Sequence, residues 1–285
     1  MSSAKRPRLY ILLDMYLGID VGASKTLLAL FDNHGKTSQE TKFETPKSYD
    51  VFLQTLKKTL SEDRFDQELS AVCCAVPGKI DRRNGVGLFF GNLDWEHVPV
   101  KADLEKMLGH LPVFVENDAK LAGVYEAKVV SNKYRQVLYL TLSTGIGAGF
   151  IIDGKIDPFL ANNEVGSMVL MHDGHLEKWE DFASGRALVK KYGLKASQIE
   201  DPKIWQAYAA AVAQGLDAIL AVVQPEVIVI GGGVGSHLEK FQSFMEAELK
   251  KYQNNMVNIP PIIKAKRPEE AVIYGCYEYI KQNTA

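Results

Sequence analysis

The chain has 285 residues, 46% of them hydrophobic and 24% charged, which is length enough for two ordinary domains and excludes collagen-like, disordered and coiled-coil chains. Lys and Arg number 33 against 35 acids, so a net charge of -2 gives no electrostatic case for a nucleic-acid or membrane partner. Three cysteines (Cys73, Cys74, Cys276) make no C-x-x-C pair, so neither a disulfide framework nor a Cys-rich zinc site is expected, and a reducing cytoplasm fits.

Residues 1–15 are read as a tail ahead of the first strand. Their apolar run Leu9–Leu13 is shorter than the roughly 7–15 residues of a signal peptide's apolar region. The spacing then predicts a strand Tyr16–Asp20, a turn Val21–Ser24 and a returning strand Lys25–Phe31. A helix is expected over Tyr49–Leu60, with Phe52, Leu53, Leu56 and Leu60 on one face. A buried strand, Leu69–Val76, ends at Pro77-Gly78, and residues 79–100 read as loop and short strand. A helix Ala102–Leu108 and a strand Pro112–Glu116 lead to Asn117-Asp118.

Val137–Leu142, the turn Ser143–Gly147 and the strand Gly149–Ile152 repeat the opening design. The first hairpin ends Asp32-Asn33-His34-Gly35-Lys36 and the second Asp153-Gly154-Lys155. Two hairpins of one design, each opening half of the chain, imply two similar α/β domains facing each other. Helices are expected at Trp205–Val223, Ser236–Tyr252 and Pro268–Lys281, around an apolar strand Val227–Ile230 and the glycine run Gly231–Gly235. Strands alternating with helices give an α/β fold.

Three glycine-rich turns follow apolar strands: Gly22, Gly145–Gly149 and Gly231–Gly235. Such turns serve hairpins generally, but their backbone amides also make phosphate-sized concavities. No G-x-x-x-x-G-K-[ST] occurs, and G-x-G-x-G is not the dinucleotide G-x-G-x-x-G, so a P-loop and a Rossmann oxidoreductase are set aside. Asp118, just past a strand, reads either as part of a helix cap with Asn117 or as a general base for an alcohol. Glu164 and Glu180 read either as surface carboxylates or as acceptors for sugar hydroxyls. His172 and His175 read as solvated loop residues, and Ser184 in Ala-Ser-Gly lacks the hydrolase elbow.

Several motifs together resemble the ROK sugar kinases (repressor, open reading frame, kinase). They are Asp20–Lys25, Pro77-Gly78-Lys79-Ile80-Asp81, Gly91-Asn92-Leu93 with Trp95, Glu116-Asn117-Asp118-Ala119, Ser143–Gly149, Glu164-Val165-Gly166, and Glu180 with Ala183-Ser184-Gly185. The resemblance runs over nearly the whole chain from Tyr16. It implies a two-domain, actin-like sugar-kinase fold (ribonuclease H-like) with a cleft between domains. Residues 16–117 would form the smaller domain, 118–268 the larger, and the helix at about 269–285 would pack back on the first.

The resemblance further implies an ATP-dependent kinase for the 6-hydroxyl of a hexose, glucose first, with Asp118 as base. Asn92, Asn117, Glu164 and Glu180 would hold the sugar. Gly22, Ser24, Lys25, Thr144 and Gly145 would surround the phosphates of ATP, with Gly232 and Gly233 on the adenosine side. Asp20 would hold Mg2+ through water. Ser167 stands where the family has a zinc-ligating histidine, and its Cys-rich cluster is absent, so no zinc is expected. A homodimer is implied. Other readings are a different sugar (mannose, fructose, N-acetylmannosamine, N-acetylglucosamine), polyphosphate as donor, or a non-catalytic sugar sensor.

Overall fold

The first half of the chain builds one mixed sheet, seen in a computed structural model that describes residues 14–284 except 64, 66–68, 110, 252 and 254. The proposed tail and its apolar run therefore lie outside the described residues, apart from Asp14 and Met15. Strands β1 (Met15–Val21), β2 (Lys25–Phe31) and β3 (Thr37–Glu44) form a meander, followed by helix α1 (Tyr49–Glu62) and strand β4 (Leu69–Val76). A small sheet of β5 (Lys79–Asp81), β6 (Val86–Phe89) and β7 (Glu96–Val98) precedes α2 (Val100–Leu108), and β8 (Val113–Asn117) ends the series. The main sheet has the order β3-β2-β1-β4-β8, with β4 parallel to both β1 and β8.

The second half repeats this plan. After α3 (Asp118–Val130) come β9 (Gln136–Leu142), β10 (Ile146–Ile152) and β11 (Lys155–Ile156). A separate hairpin, β12 (Val169–His172) with β13 (His175–Lys178), leads to α4 (Trp179–Ala183), α5 (Gly185–Tyr192) and α6 (Pro202–Leu220). Strand β14 (Val227–Gly231), α7 (Gly232–Gly235), α8 (Gln242–Lys250), β15 (Ile262–Lys264) and α9 (Ala271–Thr284) complete it. The order β11-β10-β9-β14-β15 matches the first sheet position for position, so the two hairpins do open two copies of one topology.

Strand periodicity decides which face meets which layer. In β1, Leu17, Ile19 and Val21 join Phe52 and Leu56 of α1, while Tyr16 faces α9 through Tyr277 and Ile280. In β9, Leu138, Leu140 and Leu142 pack under Leu216 and Ile219 of α6, while Val137 and Tyr139 meet Ala122 and Val124 of α3. Helices α3 and α9 thus fill the layer between the sheets. They approach so closely that a Cβ on Gly275 would come within 2.0 Å of the Leu121 carbonyl oxygen.

Two expectations are corrected and one strand is added. The helix at Ser236–Tyr252 is interrupted: Phe241 leaves helical geometry at φ -134° so that its ring stacks on Trp205, 5.5 Å between centroids, and only Gln242–Lys250 continues as α8. His172 and His175 are not loop residues. They pair across the β12–β13 hairpin, and the His172 ring stacks on Phe182 at 4.0 Å. Strand β3 was not anticipated, because Thr37–Glu44 is polar at nearly every position and is recruited by pairing with β2.

Candidate active site at the strand ends

Asp20 sits one residue before the end of β1, on the side of the sheet that faces the other half. The turn that follows closes with Gly22 N–H donating to the Lys25 carbonyl at 3.0 Å. Thr45 braces it from the end of β3, donating from Oγ1 to the Gly22 carbonyl at 2.7 Å. Ser24 and Lys25 stand exposed at the tip of that turn.

Asp118 opens α3 directly after β8. Asn117 caps the helix by accepting from Lys120 N–H and also donates to the Gly78 carbonyl at 3.1 Å. Ala119 N–H donates to Asp118 Oδ1 at 2.7 Å. The helix-cap reading of this pair therefore holds, and the same capping geometry fixes the neighbouring Asp118 carboxylate. Burial raises the Asp118 carboxyl above the usual range. The Ala119 amide and Lys120 oppose that rise, and Glu164 adds to it. Burial, then the Asp118 charge, push Asp20 up to about 7 against the pull of Lys42.

Glu164 is exposed and precedes the 3-10 turn Val165–Ser167, in which Ser167 N–H donates to the Glu164 carbonyl. Glu180, in the first turn of α4, reaches back between two glycines. A Cβ on Gly145 would lie 2.8 Å from its Oε2, and one on Gly166 3.2 Å away. Asp20, Asp118, Glu164, Glu180 and Asn117 thus gather where β1, β8 and β9 end.

The Ser143-Thr144-Gly145 turn is held from behind by the start of α5: Gly185 N–H donates to the Ser143 carbonyl at 2.7 Å, and Ser184 caps that helix. Beside it opens a cavity of about 520 Å³ lined by Ser143, Thr144, Gly185, Arg186, Gly233 and His237, among others. A Cβ on Gly233 would meet nothing within 4 Å, so the bare backbone there leaves the cavity wall smooth. Gly232 is buried beneath, its own Cβ direction blocked by the Leu142 carbonyl at 2.5 Å. Asn92 is exposed on the opposite half and accepts from Arg186 Nη2 at 3.4 Å, and Arg186 also lines the cavity.

Sequence patterns did not single out Arg82, Lys120 or Arg186. Arg82 directly follows the matched Asp81 and Lys120 directly follows Glu116–Ala119, but neither falls within its motif.

The sequence pattern of the ROK family matches residues 16–283. The chain belongs to the ROK family. A glucokinase of Streptomyces coelicolor is 33% identical over 183 residues, a stretch covering 61% of this chain and 57% of that relative. The chain therefore matches little more than half the length of that relative. An N-acetyl-D-glucosamine kinase of Haemophilus influenzae is 27% identical over 299 residues, covering 92% of this chain and 97% of the relative. Among solved structures, a ROK glucokinase from Streptomyces griseus in complex with glucose and AMPPNP superposes with a TM-score of 0.80. It is 23% identical, and the superposition covers 94% of this chain and 99% of that one. The ROK hexokinase of Thermus thermophilus gives 0.76 at 25% identity, over 95% and 100%. The fold is the actin-like fold of the ROK sugar kinases.

Proposed function

We propose that this ROK protein is a hexokinase that transfers the γ-phosphoryl group of ATP to the 6-hydroxyl of a hexose, glucose first. The observation that carries the reading is the gathering of Asp118, Glu164 and Glu180 beside two glycine turns and a cavity large enough for a nucleoside. Residues 16–117 and 118–268 would be the two domains, with the C-terminal helix returned to the first.

In this reading Asp118 takes the proton of the sugar's 6-hydroxyl as that oxygen bonds to the γ-phosphorus and the bond from phosphorus to ADP breaks. Its raised carboxyl makes it a stronger proton acceptor than an ordinary aspartate. Glu164, Glu180, Asn117 and Asn92 accept from or donate to the remaining hydroxyls. Asn117 does so from a rigid helix cap, so little ordering cost remains at binding. Amides of the turns at Gly22, with Ser24 and Lys25, and at Thr144-Gly145 face the phosphates, and Gly232-Gly233 border the adenosine.

Burial and the nearby Asp118 charge burden Asp20, which is the donor chemistry a divalent cation relieves, so the residue fits Mg2+ held through water. When bound, Mg2+ supplies charge neutralisation for the transferring phosphoryl group. A homodimer and a cytoplasmic setting belong to the same reading. Among the described residues no helix is long and apolar enough to cross a membrane.

A second reading, a kinase for N-acetylglucosamine or another N-acetylhexosamine, is favoured by the nearly full-length alignment with the Haemophilus relative. Coupled ADP release from MgATP across hexoses and N-acetylhexosamines separates the two. Fastest turnover with glucose supports the first reading, and fastest turnover with an N-acetylhexosamine supports the second. Silence with both ATP and polyphosphate, while sugar still raises Tm, replaces both with a non-catalytic sugar binder.

A further inference from the structure

Glu116 belongs to a matched motif, yet the chemistry above gives it no role. It lies 1% exposed at the end of β8 and receives a two-pronged ion pair from Arg82, with Nε donating to Oε2 at 2.7 Å and Nη2 to Oε1 at 2.6 Å. Glu116 Oε1 also accepts from Asn117 N–H at 2.7 Å, which ties the pair to the residue before Asp118. The other edge of the guanidinium crosses to the second half of the chain. Nη2 donates to the Ala161 carbonyl at 2.9 Å and Nη1 to the Asn162 side-chain oxygen.

Lys120, 3% exposed on the first turn of α3, donates from Nζ to the Asn163 carbonyl at 2.9 Å. Two cations from the Asp118 side therefore hold three successive residues, 161 to 163, and the next residue is Glu164. On the far side this segment borders a cavity of about 260 Å³, shared by Arg82, Ala161 and Tyr279 of α9. Packing does not fill that side, so the segment has room to shift and its polar ties set where it rests.

We infer that Arg82 and Lys120 are positioning residues for sugar recognition, holding the 161–163 segment so that Glu164 faces the sugar in register with Asp118. Glu116 fixes the guanidinium that does this. The inference rests on the sugar-kinase reading above and deepens it. Positive charge alone does not suffice, because the planar fork of Arg82 meets a carboxylate on one edge and a carbonyl on the other, a geometry an ammonium does not copy.

The test is steady-state kinetics with glucose, or whichever panel sugar the wild type phosphorylates fastest, with sugar Kd by calorimetry. Arg82→Ala is expected to raise the sugar KM and Kd at least tenfold, with the KM for ATP within twofold of wild type. Arg82→Lys is expected to recover Tm but not sugar affinity. Asn162→Ala removes only an exposed acceptor and leaves folding intact, and it is expected to raise the sugar KM about threefold. Sugar KM within twofold of wild type in both Arg82→Lys and Asn162→Ala overturns the inference, as does an equal rise in the KM for ATP. A wild type that neither binds nor phosphorylates any sugar overturns the parent reading and this one with it. A working wild type with unaffected variants overturns this one alone.

Discussion

At the end of β1 the first sheet places Asp20 beside a glycine turn, whereas the matching position of β9 in the second sheet carries Thr141, and the carboxylate near that turn, Glu180, arrives from α4. The sheets share strand order, hairpin design and the direction of their apolar faces. They differ in what each strand end delivers. The first sheet brings charge on its own strands, Asp20 from β1 and, past β8, Asp118. The second brings bare backbone, and borrows its carboxylates from the 164–180 insertion between β11 and α5. Duplication of a scaffold thus leaves the chemistry free to be unequal, because strand order is set by the buried faces and chemistry by the few residues past the strand ends.

The sharpest break of this asymmetry is Asp118→Asn. It keeps shape and hydrogen-bonding capacity but removes the proton acceptor. It is expected to lower kcat by about 10²–10⁴ with sugar Kd within threefold, measured by coupled assay and calorimetry. Asp20→Asn comes next, with kcat falling about a hundredfold if the proposed Mg2+ contact is lost with it.

The same Asp20 substitution has an opposite effect on the ligand-free protein. The Asp20 carboxyl is raised from 3.8 to about 7 in the fold, so the folded state holds its proton more tightly than the unfolded chain. The associated stability is present below pH 4 and is lost as pH rises through 7. Asp20→Asn is therefore expected to raise Tm by about 3 °C at pH 8, with a smaller rise at pH 5 and little change below pH 4, by differential scanning fluorimetry without ligands.

A smaller pair of changes compares the two turns directly. A Cβ on Gly22 would meet the Lys25 carbonyl at 2.8 Å, a fixed backbone atom, so Gly22→Ala is expected to cost about 1–3 kcal/mol of stability. A Cβ on Gly145 meets the movable end of Glu180 at the same 2.8 Å. Gly145→Ala is expected to leave Tm nearly unchanged and raise the sugar KM severalfold, with Glu180→Gln producing a similar rise. Equal loss of Tm in the two alanine variants would contradict the contrast.

Much of the scaffold was legible because its signals are local. Apolar strands punctuated by glycine, repeated at Asp32–Lys36 and Asp153–Lys155, mark both hairpins without reference to the rest of the chain. The Asn117-Asp118 pair stood out for the same reason, lying just past a short strand. What escaped depends on distant partners. Strand β3 has no apolar period of its own, and the break at Phe241 exists for a ring on α6. Arg82 and Lys120 look like any surface cations until the fold brings Glu116 and the 161–163 segment to them. Asn92, matched by motif, meets Arg186 for reasons no motif contains.

Helix α9 covers one face of the first sheet through Ile273, Cys276, Tyr277 and Ile280. A ribosome delivers the strands of that sheet long before it delivers residues 271–284, so Tyr16, Phe31, Cys73 and Ala75 wait without their α9 partners while the second half is still being made. Completion of that layer waits on residues 271–284, and until they are made the nascent chain carries a partly open apolar face.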